Sequence, residues 1–70
     1  MVEKIVELTG TATGSIEEAV EKAVSRASVT ISGIREVTLT RATALVEGGK
    51  VKGWKVEVRL TFEIKDQVHE

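Results

Sequence analysis

The chain has 70 residues, with ten basic and eleven acidic side chains and a net charge of −1. Nothing in that balance pulls it toward nucleic acid or anionic lipid. The absence of cysteine excludes a disulfide framework and a thiolate metal site. So short a chain holds one domain, spanning 1–70, and a single core of that size rarely suffices without staples or partners. Self-association is the remaining route to stability. No apolar run approaches the roughly 20 residues of a membrane span. Met1-Val2-Glu3-Lys4 does not begin a basic region followed by an apolar stretch. A soluble, cytoplasmic protein with neither membrane nor nucleic-acid partner is expected.

Residues 2–9 read as a first strand, with Val2, Val6 and Leu8 on one face and Glu3, Glu7 and Thr9 on the other. Gly10-Thr11-Ala12-Thr13-Gly14 reads as a loop. It lacks the third glycine and the lysine of a phosphate-binding fingerprint. Ser15-Ile16-Glu17-Glu18 fits a capping box that opens a helix over 15–32. Ile16, Ala19, Val20, Ala23, Val24, Ala27 and Ile31 recur at helical spacing, and Glu18 and Lys22 form a favourable i,i+4 pair. Gly33 is placed to stop this helix.

Residues 34–47 are rich in Val, Thr and Leu and read as a second strand, whose phase weakens around 41–44, where a bulge is expected. Gly48-Gly49 is a two-residue hairpin signal. Residues 50–65 return as a third strand, with Gly53 marking a bend. From Trp54 to Ile64 every even position is apolar and every odd one is charged or Thr. That is a period-2 code for one oily face and one wet face. A strand so apolar on one side belongs in the middle of its sheet. The order β-α-β-β therefore predicts an α+β fold: a three-stranded antiparallel sheet, order 1-3-2, wrapped on one helix. Residues 66–70 form a polar tail, in which His69 is alone among acidic residues.

Three anchors now stand together: Glu7-Leu8-Thr9-Gly10-Thr11 closing the first strand, Ala23-Val24-Ser25-Arg26-Ala27 on the helix, and Leu60-Thr61-Phe62-Glu63-Ile64 ending the last strand. With the length and the element order, they resemble the dodecins from about residue 4 to 64. The resemblance implies a hollow homo-dodecamer that binds, stores or buffers a small ligand, of which flavin (FMN, riboflavin or FAD) is the best known. Flavin-binding dodecins stack the ring on a Trp early in the second strand, and a Gln near the start of the third hydrogen-bonds it. Counting from Ile34 puts Glu36 at the Trp position. Counting back from Phe62 puts Lys55 at the Gln position and Trp54 where the family has Tyr. The resemblance thus assigns ligand contacts to Arg35, Glu36, Val37, Lys55 and Glu57, and assembly contacts to Trp54, Arg59 and Glu63. Flavin binding in the family's manner is weakened, because stacking adds about 0.5–1.5 kcal/mol beyond area burial and a carboxylate replaces the platform. Dodecins that lack the stacking Trp are associated with cations such as calcium, and this chain looks closer to those.

Trp54 lies on the apolar phase and is expected in the core or at a subunit contact rather than as a ligand platform. Glu36 and Lys55 are expected to face each other across paired strands as an exposed ion pair. Lys50, Lys52 and Lys55 beside one aromatic make a poor nucleic-acid surface. No nucleophile stands near a base by spacing, so no enzyme is expected and no catalytic residue is assigned. A flavin-free structural or cation-associated shell, and an adaptor recruiting a partner through its sheet edge, are the alternatives.

Overall fold

A computed structural model describes residues 2–64; the tail, with His69, lies outside the described residues. Four elements follow in order: β1 (Val2–Ala12), α1 (Ile16–Ser28), β2 (Ile34–Glu47) and β3 (Lys50–Ile64). The sheet order is β1-β3-β2, and β3 is antiparallel to both neighbours. The 1-3-2 sheet with one helix is therefore as the sequence predicts, and β3 is its centre.

The even residues of β3 do turn inward. Val56, Val58 and Leu60 are essentially inaccessible, and Ala19, Ala23 and Ala27 of α1 cover them together with Ala12. The alanines have only a methyl group to hold the helix off, so its backbone settles close to the sheet. Burial fades toward both ends of the strand: Trp54 and Phe62 are half-buried and Ile64 is exposed. Geometry explains this. A 13-residue helix is about 20 Å long at 1.5 Å per residue, whereas a 15-residue strand runs about 50 Å at 3.3 Å per residue.

Three boundaries differ from expectation. First, β1 continues through Gly10-Thr11-Ala12, which pair with Val56, Lys55 and Trp54 instead of looping. Gly10 is there for clearance: a Cβ on it would sit 2.6 Å from the Ala19 carbonyl oxygen and 3.1 Å from the Ala23 Cβ. Second, α1 ends at Ser28 rather than at 32. The Thr30 and Ile31 amides both donate to the Ala27 carbonyl, closing the last turn over a β-branched run that favours helix poorly. Gly33, at φ +78°, then turns the chain into β2. Third, the irregularities of β2 fall at Arg35 and Thr40, just before the expected 41–44 stretch, and a further shift leaves Lys52 of β3 unpaired. Gly48 and Gly49 close the hairpin with φ of +60° and +77°, the signs a type I′ turn requires.

The N-cap half of the capping box forms, and its return bond reaches one residue further back than the cap. Ser15 Oγ accepts from the Glu18 amide at 3.0 Å, and Glu18 Oε1 reaches back to the Gly14 amide at 3.0 Å. That turn draws the Glu18 carboxylate away from Lys22, and the expected i,i+4 ion pair does not form among the described residues. Ser15→Ala is expected to cost about 1 kcal/mol, the usual loss of an N-cap oxygen. Urea unfolding followed by circular dichroism measures it; an unchanged midpoint contradicts the assignment.

Candidate functional site

The odd residues of β3 put a lattice of charges and threonines on the sheet face opposite the helix. Three ion pairs cross between strands there: Arg35–Glu63 at 2.7 Å, Arg59–Glu7 at 3.2 Å and Arg41–Glu57 at 4.0 Å. Each follows from register. Glu7 stands opposite Arg59 and Arg41 opposite Glu57, while the extra residue at Arg35 lets its guanidinium swing over to Glu63. All are solvent-accessible, so each contributes at most about 1 kcal/mol. Their effect is to order the side chains and spread charge of alternating sign over the face. Thr40 adds a hydrogen bond from Oγ1 to the Glu57 carbonyl at 2.9 Å, pinning the bulge.

The ligand positions assigned from sequence fall into two separate groups on β2 and β3. Glu36 is exposed opposite Thr61, one residue from Arg35, and Val37 turns inward opposite Leu60. Lys55 is exposed between Thr11 and Thr43, and half-buried Glu57 lies between Thr9 and Arg41. Glu36 and Lys55 therefore do not face each other. Thr61 and Lys55 are six positions apart on β3, about 20 Å of strand at 3.3 Å per residue. The expectation failed for a countable reason: its two anchors, Ile34 and Phe62, are register partners. Two residues forward from one and seven back from the other cannot land on facing positions.

Trp54 sits on the inward phase between Ala12 and Ala44, half-buried, with small residues on both sides. Arg59 and Glu63, the other assembly positions, are held in ion pairs within the chain. One groove had no counterpart in the sequence reading. It is an open trough of about 480 Å3 between the free edge of β1 and α1, floored by Leu8, Gly10, Ala23 and Ala27 and rimmed by Lys22 and Arg26. The i,i+4 spacing of these two basic residues beside the alanine ridge was its only sequence signal. Among the described residues no cluster of three or more carboxylate or imidazole groups could hold a metal ion. No helix among them is long and apolar enough to cross a membrane.

The dodecin family profile matches residues 2–65. This chain belongs to the dodecin family. It is similar to a dodecin from Streptomyces coelicolor at 29% identity, covering 94% of each chain with a TM-score of 0.87. A Thermus thermophilus protein, tt0972, is 26% identical over 94% of this chain and 97% of that one, with a TM-score of 0.88. A calcium dodecin from Mycobacterium tuberculosis, described as calcium-chelating with a novel calcium-binding site, covers the whole of both chains at 24% identity and a TM-score of 0.79; that likeness shows the fold. No curated protein matches the sequence. Dodecins are small ligand-binding proteins, flavin being one ligand of the family.

Proposed function

We propose that this dodecin is a hollow homo-dodecamer that binds, stores or buffers a small ligand on its charged sheet face. The observation that carries the assembly is the poverty of the core. Among the described residues only Val56, Val58 and Leu60 are large and fully buried, while Val2, Ile5, Val29, Leu39, Val46, Val51 and Ile64 remain exposed. A chain with so few fully buried large side chains and so many exposed ones gains by covering the exposed ones with copies of itself.

The ligand contacts proposed are Arg35, Glu36, Lys55 and Glu57, with Val37 behind them; Trp54, Arg59 and Glu63 serve assembly. Within one chain Glu36 and Lys55 are too far apart to grip one small molecule, so a complete pocket would draw them from neighbouring copies. Flavin is a poor fit. Glu36 offers a carboxylate where a ring would stack, and Trp54 is committed to the opposite face of the sheet. The same carboxylate favours a second reading, a cation-associated shell without organic cofactor, with Glu side chains converging from several copies.

Glu36→Trp restores an aromatic platform on the wet face, and it is expected to tighten flavin up to about tenfold, the equivalent of one stacking contact. Flavin fluorescence quenching reports the affinity. No gain would show that this position does not line a ring-sized pocket. Elemental analysis of the untreated protein decides the second reading: bound divalent metal supports it, and metal-free protein removes it.

A further inference from the structure

The trough beside α1 lies on the helix side of the sheet, and none of the ligand positions proposed above lines it. Its volume of about 480 Å3 falls within the roughly 300–1,000 Å3 of small-molecule pockets. The floor is apolar, with Ala23 and Ala27 buried and Leu8 and Ile31 half-buried. One wall is the free edge of β1, where alternate residues aim N–H and C=O groups away from β3. Thr9, Thr11 and Thr30 complete the lining.

Both charged residues of the lining, Lys22 and Arg26, are positive. They stand about one helical turn apart, a spacing at which like charges repel. Arg26 gains some return from its place in the last turn, where a cation suits the helix C-terminus. Lys22 has no such compensation. The carboxylate four residues before it, Glu18, accepts from the Gly14 amide instead. Neither cation enters an ion pair among the described residues, although the chain as a whole is acidic by one charge. Two free cations above an apolar floor complement a molecule with one anionic end and one oily end.

We propose that this trough binds a small amphipathic anion, an aliphatic or aromatic body carrying one carboxylate or phosphate. Arg26 takes the head group through its planar fork of donors, and Lys22 supplies the second charge. The body lies along Leu8, Ala23 and Ala27, where its burial provides the apolar part of the affinity. The alanines serve twice. They let α1 approach the sheet, and they leave a depth beside it that larger side chains would fill.

Isothermal titration calorimetry of the whole protein tests this, with decanoate, decyl phosphate and decanol each kept below micelle-forming concentration. Both anions are expected to bind, and decanol, with the same tail and no charge, about tenfold more weakly. Whichever anion binds more tightly names the head group. Lys22→Gln combined with Arg26→Gln is expected to weaken the anions about tenfold, the order of two exposed charge contacts, and to leave decanol unchanged. Lys50→Gln combined with Lys52→Gln removes the same charge at the β2–β3 hairpin and is expected to change nothing. All four residues are exposed, so both variants are expected to fold, which circular dichroism checks. Absence of binding by either anion, equal affinity for decanol, or an equal loss in the hairpin variant would overturn the proposal. None of these results bears on the sheet-face ligand or on the number of subunits.

Discussion

Gly10→Val is expected to abolish stable folding of the isolated chain. Gly10 is buried in β1 opposite Val56. The first added carbon would lie 2.6 Å from the Ala19 carbonyl oxygen, a backbone atom that cannot rotate away. Relief requires lifting α1 off the sheet, which opens the contact between Ala19, Ala23 and the central strand. Overpacking of this kind costs about 1–3 kcal/mol, and occasionally more, where side chains can adjust; here a backbone must move. A 70-residue domain has only about 3–5 kcal/mol to lose. Circular dichroism and urea unfolding decide it. A cooperative transition at the wild-type midpoint would mean that the helix does not rest on this glycine.

Leu60→Ala is expected to cost about 2–5 kcal/mol, the range for removing a fully buried leucine and leaving a cavity. Leu60 is 0% exposed and sits between Val6 of β1 and Val37 of β2, where all three strands meet beneath α1. Ile64→Ala, four residues along the same face but 42% exposed, is the control. It lies beyond the reach of the helix and is expected to cost less than about 1 kcal/mol in the unassembled chain. Equal losses at the two sites would show that the core extends to the end of β3.

The contrast between those two leucine-sized residues also marks how far the sequence could be read. Alternation from Trp54 to Ile64 identified the central strand and its oily face, because a side-chain period of two is local information. It could not say where burial stops, since that depends on a 13-residue helix lying over a longer strand. Gly10 was read as a turn residue because glycine usually signals one. Its actual role, making room for Ala19, exists only once helix and sheet are in contact. The ligand positions were harder still. Glu36 and Lys55 were placed by counting along single strands, whereas their separation depends on the pairing of Ile34 with Phe62 and on the bulges at Arg35 and Thr40. The Arg35 bulge lies among letters that look like ordinary strand, whereas the one at Thr40 falls one residue before the 41–44 stretch where the weakening phase predicted a bulge. The family anchors near residues 7–11, 23–27 and 60–64 were legible because each combines a local pattern with a particular residue order.

Native mass spectrometry of untreated protein tests the central claim most directly, because it reports subunit number and bound mass together. A species near twelve times the 7.6 kDa chain, holding together at low micromolar concentration, is the predicted result. A well-folded single chain of 7.6 kDa under the same conditions would contradict it.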